Sequence, residues 1–311
     1  MKRWFKYLLA LCSLLFVLSG CALPGLSSTG ENAINIAGIS TTESQILAYL
    51  VQDLIEHETD LEADVVINLG SSAVVHQSML DGDTSISGGR YTGTDLSVAL
   101  GREPITDPDE AMHVMQTEFD KQFNQKYYDS YGFENTYALM VSQDFAKKHQ
   151  LEKVSDLKAI AREVNFGVDS SWLDRKGDGY EAFTKKYGFR FDNIYPMQPG
   201  LVYDALEQGS MDVVLGYTTD GRIASYDLEI LEDDLQFFPP YDAAPVARKD
   251  LLEAHPEIDE LLSRLAGTID NEQMQKLNYK VDDELQEPAT VAHEFLKANN
   301  YFRDHQKKAG E

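Results

Sequence analysis

From Ile34 onward the chain alternates short apolar runs with amphipathic stretches, and this alternation restricts the fold more than any other feature. "INIA" and "ADVVINL" read as strands. Between them "STTE" at Ser40–Glu43 has capping-box spacing, which predicts a helix with Ile46, Leu50 and Leu54 on one face. "SAVVHQSML" predicts a helix and "TSIS" a strand, and "DPDEAMHVMQTEFDKQF" predicts a helix opened by Pro108 after Asp107. "TYALMVS", "NFGVD" and "MDVVL" continue the strands. Helices are expected around Ser155–Val164, near "DGYEAFTKKYG", and over "PGLVYDALEQG", the last ended by Gly209. From Leu251 the chain is mostly helical, with "PEIDELLSRLAG" and "EPATVAHEFLKANNYF" both amphipathic. Strands alternating with helices of this length imply an α/β fold of mostly parallel sheets covered on both faces. In such sheets ligands sit at the C-terminal ends of strands.

The segment before Ile34 has a different character. "MKRWFK" is basic, "YLLALCSLLFV" is apolar and too short for a comfortable span, and "LSGC" follows at Leu18–Cys21. Residues 1–20 are therefore expected to be a secretory signal. "LSGC" resembles the lipobox of bacterial lipoproteins, which implies lipidation of Cys21. An ordinary signal with a chance cysteine, or an uncleaved anchor helix, is the alternative. "ALPGLSSTGEN" then reads as a flexible tether over 21–32. Only Cys12 and Cys21 occur, so a mature domain that has lost Cys12 contains no disulfide. The formal charge of −25 argues against nucleic-acid binding, which needs a basic footprint. The plainer meaning of that charge is solubility.

No catalytic set emerges from the residues. The seven histidines are scattered without metal-ligand spacing, and G-x-S-x-G, P-loop and G-x-G-x-x-G patterns are absent. "RKGDGY" at Arg175–Tyr180 reads as a turn before a helix, and neither a cofactor nor a metal is expected.

Tyrosines are more informative. "MDVVLGYTTDGR" and "MLDGDTSISGGRYTGTD" both run from a helix end through Gly209 or Gly82 into a strand, then glycine, tyrosine and threonine. The spacing from that first glycine to the tyrosine is eight in one and nine in the other, so similar βα units or chance would both account for it. Tyr91 and Tyr217 are expected just past strand ends, with the preceding glycines allowing a sharp turn and space beside each ring. Tyr137 in "FENTYALMV" and Tyr241 in "FFPPYDAAPV" occupy comparably stiff settings, the latter behind Pro239 and Pro240. Four such rings suit a ligand without hydrogen-bond donors.

The chain resembles the substrate-binding lipoproteins of bacterial ABC transporters for quaternary amines: glycine betaine, carnitine, choline and related solutes. The resemblance spans about Ile34 to Phe302. It rests on "TESQILAYLVQDLIEHETDL", "GGRYTGTDL", "DSYGFENTYAL", "WLDRKGDGYEAF", "YPMQPGLVYDAL", "DVVLGYTTDGRI" and "FFPPYDAAPV" in that order. It implies a two-lobed periplasmic-binding-protein fold, type II-like, with a ligand cleft between lobes joined by two crossing strands. Lobe 1 is then expected over 33–129 and 238–305, and lobe 2 over 130–237. The resemblance also implies an aromatic cage of Tyr91 and Tyr241 from the first lobe and Tyr137 and Tyr217 from the second. Thr94 matches the position that contacts the other end of the ligand. Several relatives carry glutamine where this chain has Ile39, and isoleucine cannot hydrogen-bond a carboxylate. Carboxylate recognition would then fall to Thr94, to backbone N–H groups at the Ser40 helix start, or to water.

The implied protein is a monomer on the extracytoplasmic face of the cell membrane, held by its lipid, not an enzyme, and partnered by an ABC permease and ATPase. Two other readings stay open on the residues alone. Arg90 and Arg222, beside the tyrosines, would clamp an amino acid or other carboxylate unless they pair with acids such as Asp95 and Asp220. A surface enzyme or adhesin on the same scaffold is the other, because fold alone does not decide function.

Overall fold

The computed structural model describes residues 33–174, 178–198 and 200–302. The expected leader, Cys21, the tether over 21–32, Arg175–Gly177 of the expected turn, and the last residues of the expected first lobe (303–305) lie outside them. The chain runs β1 (Ile34–Ile39), α1 (Thr42–Glu58), β2 (Ala63–Leu69), α2 (Ser72–Asp81), β3 (Ile86–Tyr91), α3 (Thr92–Val98), α4 (Pro108–Phe123) and β4 (Gln125–Tyr127). It then crosses to a second sheet. There follow β5 (Tyr137–Ser142), α5 (Gln143–His149), a 3₁₀ helix (Val154–Ala159), β6 (Asn165–Asp169), α6 (Ser170–Leu173) and α7 (Tyr180–Tyr187). Next come β7 (Asn193–Met197), α8 (Leu201–Glu207), β8 (Val213–Tyr217), α9 (Arg222–Ser225) and β9 (Leu228–Ile230). The chain returns through β10 (Ala243–Arg248) to α10 (Lys249–Ala254), α11 (Pro256–Ser263), α12 (Asn271–Asp282) and α13 (Pro288–Ala298).

The two five-stranded sheets have the same plan, with orders β2-β1-β3-β10-β4 and β7-β6-β8-β5-β9. In the first, β10 pairs antiparallel with β3 and β4 while β1, β2 and β3 pair in parallel. In the second, β5 is the reversed strand beside β8 and β9. Each reversed strand follows directly on a crossing segment. Those segments pair with each other: Glu134 bridges Asp242, the Asn135 N–H donates to the Tyr241 carbonyl at 3.1 Å, and the Ala243 N–H donates to that of Phe133 at 3.2 Å.

Helix faces follow the apolar spacing. Ile46, Leu50 and Leu54 of α1 are fully buried against the first sheet, each contributing roughly 1.5–3 kcal/mol of burial. In the second lobe Trp172, Phe166, Phe183 and Phe191 form an aromatic core. Asp107 caps α4 by accepting from the Glu110 N–H at 2.9 Å, and Pro108 occupies the first turn, where its missing N–H costs nothing. α12 packs on α1, which covers the first sheet, and on α9, which precedes β9 of the second.

Three expectations are corrected. The capping box at Ser40–Glu43 does not form: α1 begins at Thr42 with Thr41 as an N-cap that makes no side-chain bond, and Glu43 turns inward. The helix expected around Ser155–Val164 is a 3₁₀ helix over Val154–Ala159, because Val154, Leu157 and Ile160 recur every third residue and all face the core.

The third concerns the glycines, which lie inside β3 and β8 rather than after them, and the strands end on the tyrosines. None of Gly88, Gly89 or Gly216 has positive φ, so no turn is made there. What they provide is close approach. A Cβ on Gly88 would stand 2.6 Å from the Ala48 backbone of α1, and one on Gly216 would stand 2.6 Å from the Tyr203 hydroxyl.

Near the end of β3, Arg90 and Asp95 of α3 form a buried pair, 2% and 0% exposed, with Nε–Oδ2 at 3.0 Å and Nη2–Oδ1 at 2.5 Å. This two-pronged bond braces the turn that carries Tyr91, Gly93 and Thr94.

Gly88→Ala is expected to destabilise the protein by about 1–3 kcal/mol through overpacking. Gly70→Ala, where a Cβ meets nothing within 4 Å, should change stability by less than about 0.5 kcal/mol. Urea midpoints with unchanged m-values test both. Asp95→Asn strips a buried guanidinium of its partner and should cost about 3–5 kcal/mol in the same titration.

Candidate ligand-binding site

A cavity of about 490 Å³ opens between the sheets, at the C-terminal ends of β3 and β8. Tyr91, Tyr137, Tyr217, Tyr241 and Thr94 all line it, and so does Ile39. The sequence separates these residues by up to 150 positions; the fold brings the five candidates to one space.

Its first wall is built on β3. Tyr91, the last strand residue, pairs with Ala243 of β10, which brings Tyr241 close by. Thr92 then fastens the loop that carries Tyr241. Its N–H donates to the Asp242 carbonyl at 3.1 Å, and its hydroxyl accepts from the Asp242 N–H at 3.1 Å and donates to the Pro240 carbonyl at 3.3 Å. Gly93 leaves room for the ring, since a Cβ there would stand 3.0 Å from Tyr241 Cε1 and 2.7 Å from the Pro240 oxygen.

The second wall is a cross-strand pair. Tyr137 of β5 lies opposite Tyr217 of β8 in antiparallel register. Their rings stack at 4.7 Å with planes 28° apart, and the Tyr217 hydroxyl donates to that of Tyr137 at 3.0 Å. Trp172 and Phe238 back Tyr137 at 6.5 and 6.2 Å. Behind Tyr217, the Tyr203 hydroxyl accepts from the Tyr217 N–H at 2.6 Å and donates to its carbonyl at 3.2 Å, filling the space that Gly216 leaves. Burial, and then the nearby Asp220, push the Tyr203 phenol well above its usual range, so it stays a donor.

Residues that sequence reasoning did not single out complete the site. Glu43, 4% exposed, lies in the first turn of α1 and borders the cavity. Its Oε1 accepts from the Tyr91 hydroxyl at 2.6 Å and from Asn135 Nδ2 at 3.0 Å; its Oε2 accepts from Asn278 Nδ2 at 3.3 Å. Burial first, and then this carboxyl group, raise the Tyr91 phenol far above its usual range. Asn278 and Gln275 of α12 also donate across the cleft to the carbonyls of Thr219 and Thr218, each at 2.8 Å. In the sequence Glu43 looks like a capping residue, and Asn278 lies in a helix chosen by no motif. Only "TTES" immediately before an apolar face hinted that a carboxylate stands near a helix start.

The electrostatics of the lining are one-sided. Among the described residues, Glu43, Asp220 and Asp282 border the cavity and no lysine or arginine does. Arg90 is engaged by Asp95. Arg222 is held by Asp220, with Nε–Oδ1 at 2.9 Å and Nη2–Oδ2 at 2.7 Å, and its Nη1 donates to the Gly200 carbonyl at 2.7 Å. Asp220 raises the affinity of that guanidinium for its proton. Both arginines therefore pair with acids, and a carboxylate clamp made from them is not what the cavity presents. Ile39 lines the cavity with its N–H already engaged, donating to Ser44 Oγ at 2.9 Å.

Comparison with known proteins agrees in extent. The chain is 51% identical to the carnitine transport binding protein OpuCC of Listeria monocytogenes over 305 residues, covering 97% of this chain and 99% of that one. It is 31% identical to a glycine-betaine-binding protein of Pseudomonas aeruginosa, covering 96% and 97%. A crystal structure described as a glycine betaine/carnitine/choline ABC transporter superposes with a TM-score of 0.85 at 52% identity, covering 87% of this chain and all of the other. The two-lobed periplasmic-binding-protein fold is thus shared, and these relatives bind substrates for transport rather than transform them. Residues 32–298 match the substrate-binding domain of ABC-type glycine betaine transport systems, and the chain belongs to that family.

Proposed function

We propose that this protein captures quaternary-ammonium solutes such as glycine betaine, carnitine and choline, and delivers them to an ABC permease and its ATPase as part of osmoprotection. The observation that carries this reading is the convergence of four tyrosines on one cavity that, among the described residues, no lysine or arginine lines. A trimethylammonium group has spread positive charge and no N–H. Tyrosine faces offer it negative quadrupole and apolar surface together. Four contacts of about 1–2 kcal/mol each give roughly 4–8 kcal/mol, enough by themselves for millimolar to micromolar affinity. Because the rings belong to two lobes, the full cage exists only when the lobes close, so closure and capture are one event.

The far end of a zwitterionic ligand is assigned to Thr94 and to the start of α1, where Thr41 and Thr42 also border the cavity. First-turn N–H groups there favour a carboxylate. Attachment of the protein through a lipid on Cys21 is part of the same proposal, as is action as a monomer outside the cytoplasmic membrane. No helix among the described residues is long and apolar enough to cross a membrane.

Isothermal titration with glycine betaine, carnitine, choline and proline betaine is expected to give saturable binding of at least one, and silence for all four removes the ligand assignment. Tyr91→Ala and Tyr217→Ala should each weaken binding by about 1–2 kcal/mol, and Tyr91→Ala should also lower the urea midpoint, because the buried Glu43 loses a donor. Phenylalanine at either position keeps the ring face and should cost less. An equal loss for Tyr→Phe and Tyr→Ala would transfer the role from the faces to the hydroxyls.

A further inference from the structure

Glu43 is a buried acid whose electrostatic compensation is incomplete. Three donors converge on its two oxygens: the Tyr91 O–H, Asn135 Nδ2 and Asn278 Nδ2. Asn278 presents its amide N–H groups rather than its oxygen, because the same nitrogen donates to the Thr219 carbonyl at 2.8 Å. That pattern suits a carboxylate, which only accepts. Yet among the described residues no lysine, arginine or histidine pairs with Glu43, and a charge buried to 4% exposure is costly without a counter-charge. The neutral donors supply part of the compensation. Glu43 also borders the same cavity as the four rings.

We infer that Glu43 is the counter-charge of the bound ammonium and sets the preference of the site for ligands of net positive charge. It acts in two ways. Directly, it attracts the ammonium across a water-poor space, where Coulomb attraction survives better than in bulk water. Indirectly, it polarises the Tyr91 O–H through the 2.6 Å bond, which moves electron density toward the ring and strengthens the face offered to the cation. A zwitterion gains at its ammonium end and loses some of that gain at its carboxylate. A cation without a carboxylate keeps all of it. The inference rests on the quaternary-amine reading and adds a residue and a selectivity to it.

The test uses choline, glycine betaine and the uncharged choline isostere 3,3-dimethylbutan-1-ol, titrated into the parent protein and into Glu43→Gln, which keeps the side-chain shape and an acceptor for Tyr91. Glu43→Gln should weaken choline by about tenfold or more, weaken glycine betaine less, and leave the isostere within about twofold. Choline binding within about twofold of the parent would overturn the inference, and so would an equal loss for choline and the isostere, which marks a packing role. Should Glu43→Gln fail to fold by circular dichroism, Glu43→Asp retains the charge and is expected to bind more weakly while still preferring choline to the isostere. Loss of that preference in Glu43→Asp overturns the inference as well. If the parent protein ignores every quaternary amine, the quaternary-amine reading itself falls. If the parent binds and Glu43→Gln is unaffected, only the role of Glu43 falls.

Discussion

A binding site divided between two lobes needs something to hold its halves in register, and here backbone pairing of the two crossing segments does so. Asn135 donates to the Tyr241 carbonyl and Ala243 to that of Phe133, so the outgoing and returning chains form a short antiparallel ladder. Tyr137 stands two residues beyond Asn135, and Tyr241 lies on the ladder itself. The same few bonds thereby fix two of the tyrosines that line the cavity. From each end of the ladder a reversed strand enters a sheet, β5 beside β8 and β10 beside β3, and meets the strand that carries the other tyrosine. Backbone hydrogen bonds are directional and their register is discrete, so the placement of the rings follows from pairing rather than from flexible side-chain packing.

Support for the rings comes from polar contacts that sit behind them. Thr92 clamps the loop of Tyr241, Tyr203 holds both backbone groups of Tyr217, and Glu43 receives the Tyr91 hydroxyl. These contacts fix the edge of a ring or the backbone beneath it. Such preorganisation matters because affinity built from weak face contacts is easily lost to the entropy of ordering side chains. The paired arginines serve the opposite purpose. Held by Asp95 and Asp220, they brace the chain where it leaves β3 and β8, and among the described residues no lysine or arginine lines the cavity.

Much of the fold was legible. The period-2 and period-3.6 patterns located most strands and helices, and "DPDE" marked the start of α4, because these signals depend on neighbours within a turn or two. The strands bearing Tyr91 and Tyr217 were read too short, since glycine is a poor strand former and the reason for it lies elsewhere in the chain. Gly88 makes room for Ala48 of α1, and Gly216 for Tyr203 of α8. The 3₁₀ helix at Val154 was read as α because three- and four-residue spacings overlap over so short a span. The resemblance of the two Gly-Tyr-Thr segments, ambiguous as a repeat, has a plain basis: β3 and β8 occupy the same position in two sheets of the same plan.

By itself the sequence determined the α/β class, the order of the elements, the family motifs and the aromatic residues suited to a methylated cation, all of which are carried by residue types and local spacing. The roles of Glu43, Asn135 and Asn278 were decided only by tertiary structure. They are distant in sequence, and an acid in the first turn of a helix looks the same whether it caps that helix or faces a ligand. Which of the two it does depends on what packs against it, and that is fixed when α1, the crossing segment and α12 close around one side chain.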